Sequence, residues 1–193
     1  MATETVPHGA PTPHLAHPRC AVRVATIYAN SSLISHCYLE IWDHYSWRES
    51  TAIQSYYNSR RSLIKSNTTY ITDQSRGIWA DQAKIDSNYI GKPTTSTPYM
   101  NPYSNHNDWA IGHGNYNIIT NNTLENLSSG IYADNRTDNI IKNNTISVRH
   151  WGIYANNAIG SHVYSNNDIT KTNNEWFVYV TNTEDVKIDS NQF

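Results

Sequence analysis

Apolar residues fall along this chain in short alternating bursts. Ile131 and Ala133 alternate with Tyr132 and Asp134, the period of two that belongs to a strand rather than the 3.6 of a helix. The bursts themselves recur. Gly130-Ile-Tyr-Ala133 followed by Ile141-Lys-Asn-Asn-Thr-Ile146 returns as Gly152-Ile-Tyr-Ala155 followed by Tyr164-Ser-Asn-Asn-Asp-Ile169. The same pair stands earlier as Gly77-Ile-Trp-Ala80 with Ile85-Asp-Ser-Asn-Tyr-Ile90, and degraded as Ile27-Tyr-Ala29 with Ile34-Ser-His-Cys-Tyr-Leu39. Aligned on these phrases, one asparagine column reads Cys37, Asn67, Asn88, Asn122, Asn144, Asn167 and Asn191. Two positions later run Leu39, Thr69, Ile90, Leu124, Ile146, Ile169 and Phe193. Three positions earlier run Ile34, Ile64, Ile85, Ile119, Ile141, Tyr164 and Ile188. A fourth column is Ile27, Ile53, Ile78, Ile111, Ile131, Ile153 and Val178.

Aligned repeats of this kind predict a solenoid. Each repeat of ~22 residues holds strands too short to bury a core alone, and stacking joins their isoleucines into one. The asparagine marks a tight turn, because it tolerates the left-handed conformation and its amide can bond the coils above and below as a ladder. Cys37 replaces that amide in the first rung with a small buried group and reads as structural. These I-x-x-N-x-I rungs and G-I-Y phrases resemble the right-handed parallel β-helix superfamily, the pectate-lyase-like fold. The resemblance covers residues 22–193. It implies an all-β, right-handed parallel β-helix solenoid of about seven rungs, with residues 1–21 as an irregular N-terminal arm. Phe193 completes the last rung with no capping element after it. A bare edge invites pairing, so the expectation is the rest of a longer helix there, or another chain in end-to-end or edge contact.

Composition narrows the class. The chain has 193 residues, among them 24 Asn, 19 Ser and 19 Thr, and only 16% are charged. A helical bundle would need Ala, Leu, Glu and Lys instead. Twenty Ile and a net charge of −2 exclude a charge-driven disordered chain and leave no electrostatic footprint for nucleic acid. No apolar run approaches the ~20 residues that span a membrane. Cys20 and Cys37 allow one disulfide but no disulfide framework. The first twenty residues carry neither the basic start nor the apolar stretch of a secretory signal. Six N-x-S/T triplets, at Asn30, Asn67, Asn121, Asn126, Asn135 and Asn143, are mostly what chance gives in so Asn- and Thr-rich a chain.

Candidate chemistry follows from the faces. By the resemblance, the G-I-Y-A strand floors a carbohydrate groove, since the turn before it varies most in length. If Ile131 and Ala133 point inward, the outward column is Tyr28, Gln54, Trp79, Gly112, Tyr132, Tyr154 and Tyr179. Sugar rings present C–H faces that stack on aromatic planes, so Tyr28, Trp79, Tyr132, Tyr154 and Tyr179 are the candidate substrate-binding residues. The competing reading is that stacked tyrosines simply support one another across strands. In the next outward column Asp81 and Asp134 stand two rungs apart, about 9.5 Å at the ~4.8 Å strand spacing. That separation suits an inverting glycosidase, although Asp is also an ordinary turn residue. His113 lies on the rung between them. Gly112-His113-Gly114 is similar to a short motif of the polygalacturonase branch, whose double Asp and Arg-Ile-Lys are missing here.

Two insertions project from the same turn. Residues 40–51 carry Glu40, Trp42, Asp43, His44, Trp47, Arg48 and Glu49; residues 91–108 carry Lys92, Tyr99, Tyr103, His106 and Asp108. Insertions in a regular scaffold are where binding and catalysis concentrate. A lyase or epimerase needs a base for the proton α to a uronate carboxylate and a cation for the resulting anion. His106 with Arg76 or Arg149 offers that pair. The candidate catalytic residues are therefore Asp81, Asp134, His113, His106 and Arg149. His44, Asp43, His106 and Asp108 could bind a metal, but no pair of them has a recognised ligand spacing, and Ca²⁺ is the one cofactor left as a candidate. The function expected is a carbohydrate-active protein, extracellular or at a cell surface, that binds a polysaccharide and cleaves or epimerises it. A non-catalytic, adhesin-like repeat scaffold is the alternative.

Overall fold

The computed structural model describes residues 20–23, 27–28, 31–41, 51–55, 62–71, 75–92, 109–112, 114–133, 136–172 and 176–193, with the backbone alone at 20–23 and Tyr28. Its strands, numbered in chain order, form three seven-stranded parallel sheets. Sheet A stacks β1 (Cys20–Arg23), β4 (Cys37–Ile41), β7 (Thr68–Ile71), β10 (Tyr89–Gly91), β13 (Thr123–Leu127), β16 (Thr145–Val148) and β19 (Asp168–Lys171). Sheet B stacks β2 (Ile27–Tyr28), β5 (Thr51–Ser55), β8 (Arg76–Ala80), β11 (Trp109–Gly112), β14 (Ser129–Tyr132), β17 (Ile153–Asn156) and β20 (Val178–Thr181). Sheet C stacks β3 (Leu33–Ser35), β6 (Leu63–Lys65), β9 (Lys84–Asp86), β12 (Ile118–Thr120), β15 (Ile140–Lys142), β18 (His162–Ser165) and β21 (Val186–Asp189).

The chain visits B, C and A in turn, and each strand pairs with its counterparts one rung away. This is a parallel β-helix of seven rungs, with β1 added ahead of the first. The registers reproduce the sequence columns. Ile53 lies opposite Ile78, Ile78 opposite Ile111, Ile111 opposite Ile131, and Ile131 opposite Ile153. β1 places Cys20 opposite Cys37, so the paired backbone reaches two residues before the expected start of the helix.

The core is the stack of inward isoleucines. Ile53, Ile78, Ile111, Ile131 and Ile153 are fully buried, as are Ile64, Ile85, Ile141, Ile90, Ile146 and Ile169. At roughly 1.5–3 kcal/mol for each such side chain, they supply what no three-residue strand supplies alone. Tyr164 enters the same stack in place of an isoleucine and is fully buried.

The asparagine ladder is complete from Asn67 to Asn191. Asn122 is typical. Its Nδ2 donates to Asn144 Oδ1 at 3.0 Å and to Ile85 O at 3.0 Å. Its Oδ1 accepts from Asn88 N at 2.9 Å and Asn88 Nδ2 at 3.0 Å. An amide has two donor hydrogens and two acceptor lone pairs, and all four are used. Cys37 cannot continue the chain of amides, yet its own N–H still donates to Asn67 Oδ1 at 3.0 Å. It is half-buried rather than buried, and its thiol donates to Ser35 O at 3.6 Å.

One expectation needs correction. The left-handed residue of this corner is the one before the asparagine: φ is +53° to +57° at His36, Ser66, Ser87, Asn121, Asn143, Asn166 and Ser190. The asparagine must aim its amide into the core to bond the next rung, so the exposed residue before it makes the reversal. The corner from sheet C to sheet A is thereby held at constant length. The corner from A to B is not, and residues 42–50 and 92–108 are inserted there.

Candidate functional site

Sheet B presents aromatic rings to the outside in two files. In one, Tyr132, Tyr154 and Tyr179 occupy successive rungs, with ring centroids 5.7 and 5.0 Å apart and planes within 3° and 8° of parallel. Gly112 precedes Tyr132 in register. A Cβ there would stand 2.4 Å from the Trp79 ring, so the missing side chain makes room for Trp79 to stack on Tyr132 at 5.9 Å. The second file behaves likewise. Ser129 is paired with Trp109 and is small, and Trp109 stacks on Trp151 from two rungs away at 5.8 Å. The files interlock, with Trp109 4.9 Å from Tyr132 and Trp151 5.1 Å from Tyr154. Arg76 lies 3.9 Å over the Trp79 ring, a cation–π contact. Burial lowers the Arg76 pKa, with Tyr132 acting the other way.

Interlocking has a consequence for exposure. Trp79 and Trp109 are each only 7% exposed, because neighbouring rings cover them. Tyr132, Tyr154 and Tyr179 are half-buried. Trp176, tilted against Tyr179 at 6.3 Å, is 63% exposed. Of the expected substrate-binding residues, Trp79, Tyr132, Tyr154 and Tyr179 thus share one continuous surface, and Trp79 forms its floor. Tyr28 keeps its place in register at the far end, opposite Gln54.

The candidate acids and bases are less well gathered. Asp81 follows β8 but is 2% exposed. Its Oδ1 accepts the Asn115 N–H at 2.5 Å, beside Gly114 with φ +106°. Its Oδ2 is buried with no hydrogen-bond partner among the described residues. The same device recurs where Asp138 Oδ1 accepts the Ser161 N–H at 2.6 Å, beside Gly160 with φ +83°. In both places a carboxylate ties down the residue that follows a left-handed glycine one rung on. Asp134, His113 and His106 lie outside the described residues, as do the insertion residues 42–50 and 93–108. Arg149 is exposed on the corner before Trp151, with its N–H donating to Leu127 O at 2.9 Å. Among the described residues no three His, Cys, Asp or Glu side chains are grouped so as to hold a metal ion.

Three features escaped the sequence reading. A second, shorter ladder runs on the other side of sheet C: Asn117 N donates to Asn139 Oδ1 at 2.9 Å, and Asn117 Nδ2 to Ala80 O at 2.9 Å. Its signal was present, since Asn117-Ile-Ile and Asn139-Ile-Ile stand five positions before the main column. His162 takes the next place and is fully buried. Its Nε2 faces two carbonyls, Arg136 O and Ile159 O at 3.1 Å each, so the proton belongs there and Nδ1 accepts the Tyr164 hydroxyl at 3.0 Å. Burial pushes the Tyr164 pKa upward. The third is an aromatic cluster on sheet A. Tyr38, Tyr70 and Tyr89 meet edge-on at 5.7 Å spacings, with Tyr38 donating to Glu40 and Tyr89 to Glu125.

Comparison of the chain with family models, with curated proteins and with solved structures gave no match.

Proposed function

We propose that this chain is a pectate-lyase-like β-helix that binds a polysaccharide along sheet B. The observation that carries this reading is the row Tyr132, Tyr154 and Tyr179, which repeats every 5.0–5.7 Å along the helix. That is roughly the length of one pyranose residue, so an extended glycan lying along the axis would meet one phenol per sugar. Because the rings stack on one another, their inner faces are taken. What remains for a glycan is ring edges and hydroxyls, and the open face of Trp176, where C–H/π stacking is available. Cleavage or epimerisation belongs to the same proposal through Asp134, His113, His106 and Arg149. Asp81, sealed against Asn115, acts as a turn clamp rather than an acid.

A glycan array together with a polysaccharide depolymerisation assay, with and without Ca²⁺, tests both halves. Binding should fall at least tenfold in Tyr179→Ala and Trp176→Ala, the size of one lost stacking contact of ~1.4 kcal/mol. Turnover should vanish in Asp134→Ala while binding persists. Binding without turnover on any glycan would leave a carbohydrate-binding scaffold. The ring-on-ring stacking favours one rival, a purely structural repeat module. It would prevail if no polysaccharide bound at all.

A further inference from the structure

Sheet C carries a surface that the glycan reading does not use. Its outward positions form two columns. The first is aliphatic on five rungs, at Leu33, Leu63, Ile118, Ile140 and Val163, with lysines on the other two, Lys84 and Lys187. Leu33 is 52% and Ile118 41% exposed. Tyr116 and Ile159, on the adjoining corner, are 56% and 63% exposed. Four of the eight large apolar side chains exposed among the described residues therefore gather on this face. Isolated exposed aliphatics are ordinary; a row across consecutive rungs of a flat sheet marks an interaction surface. The second column is polar and charged. It includes Lys65, Asp86, Lys142 and Asp189.

We propose that sheet C is where two copies of this chain associate, face to face, about a two-fold axis that runs along the strands through Ile118. The helix axes are then antiparallel, and each rung of one copy meets the rung equally far beyond the fourth in the other. Ile118 meets Ile118 of the second copy, Leu63 meets Val163, and Asp86 meets Lys142 twice over. All seven rungs overlap and no like charges oppose one another. Charge and full overlap together select this register among two-folds along the strands. Moving the axis one rung toward the C-terminal end sets Lys84 against Lys187, Asp86 against Asp189 and Lys142 against itself. Moving it one rung the other way sets Lys84 and Asp86 each against its own copy. A two-fold along the helix axis instead sets Lys84 on Asp86 and Lys187 on Asp189, but it lays the aliphatic Ile118, Ile140 and Val163 on Thr120, Lys142 and Ser165 and leaves them without apolar partners. Aligned sheet-on-sheet packing with an isologous two-fold is an ordinary way to bury such a face.

Sedimentation of the whole chain over a range of concentrations tests this, with circular dichroism to confirm that each variant folds. A dimer is expected that weakens as salt rises. Lys142→Asp should raise its dissociation constant about tenfold or more, because two attractive pairs become repulsive. Asp86→Lys should do the same, and the double swap Asp86→Lys/Lys142→Asp should restore association. In a Cys20→Ser/Cys37→Ser background, Ile118→Cys should cross-link to its own copy under oxidised glutathione, and Ile140→Cys should not. A monomer at every concentration overturns the proposal. So does a dimer indifferent to the charge swaps, or one whose cross-link forms at Ile140 rather than Ile118.

Discussion

Two stacks of like side chains run along this molecule, one inside the coil and one outside, and they are built on different terms. Inside, each ladder asparagine from Asn88 to Asn167 uses both its donors and both its acceptors, as Asn122 does on Asn88, Ile85 and Asn144. These bonds satisfy backbone groups that burial would otherwise leave unpaired, which costs about 1–3 kcal/mol each. The inner rungs therefore need the ladder, which ends at Cys37, and the corner that carries it keeps one length. Outside, the tyrosine file is broken by Gln54 and Gly112 without interrupting the sheet, and the corner beside it accepts long insertions. Nothing in the backbone demands Tyr132, Tyr154 and Tyr179. Their continuity over three rungs rests on the contacts of the rings with one another.

Breaking the inner stack should therefore cost most. Asn122→Ala removes the Asn122 partners of Asn88 N, Asn88 Nδ2 and Ile85 O at once, so we expect a loss of about 4 kcal/mol, near the upper limit for one substitution. Urea unfolding followed by circular dichroism measures it; a loss below about 1 kcal/mol would mean that water replaces the amide. Tyr154→Ala in the outer stack should cost about 2 kcal/mol in the same assay, from two parallel ring contacts and lost apolar burial. It should also reduce any glycan affinity, which Asn122→Ala should not do at temperatures where it remains folded. Asp81→Asn comes third. If the carboxylate is a clamp, the amide oxygen still accepts the Asn115 N–H, stability falls by about 1 kcal/mol, and ligand binding and turnover stay at the wild-type level. Lost turnover in a folded Asp81→Asn protein would return Asp81 to the catalytic group.

The inner stack was the more legible of the two. A residue that must recur at a fixed place on each rung writes itself into the sequence as a column, and Asn67 to Asn191 could be aligned by eye with their isoleucine partners. The left-handed residue before each asparagine was not legible, because Ser, His and Asn share that role and leave no single-letter column. The outward column of sheet B was also readable, since alternation fixes the face. Exposure within it was not. Whether Trp79 lies open or becomes a floor depends on Gly112 one rung away, and that is a three-dimensional coincidence of a gap with a ring. The burial of Asp81 was hidden for a similar reason. The strand period aims its side chain outward, and the Gly114-Asn115 backbone of the next rung then closes over it.

The cluster on sheet A offers the finest test of what an outer stack is worth. Tyr89 is half-buried, and its hydroxyl donates to Glu125 Oε2 at 3.2 Å. Burial and the Glu125 carboxylate together push its pKa from the ordinary 10 up to about 12. The folded protein thus holds this proton more tightly than the unfolded chain does. Stability from the group is fully present below pH 10 and drains away as pH rises from 10 to about 12, because the unfolded tyrosine ionises first and unfolding then releases the proton. Glu125→Gln removes the charge but keeps the shape. Tyr89 should then ionise at lower pH, though still above 10 because burial remains, and the alkaline loss of stability should still begin near pH 10 but end at lower pH and be smaller. The tyrosinate absorbance of wild type and variant, titrated side by side, isolates this one residue from the other thirteen tyrosines. Superimposable curves would mean that Glu125 is solvated rather than paired. The contact of Tyr89 with Tyr70 would then be surface packing that draws nothing from Glu125, unlike the ladder, where every amide is paired.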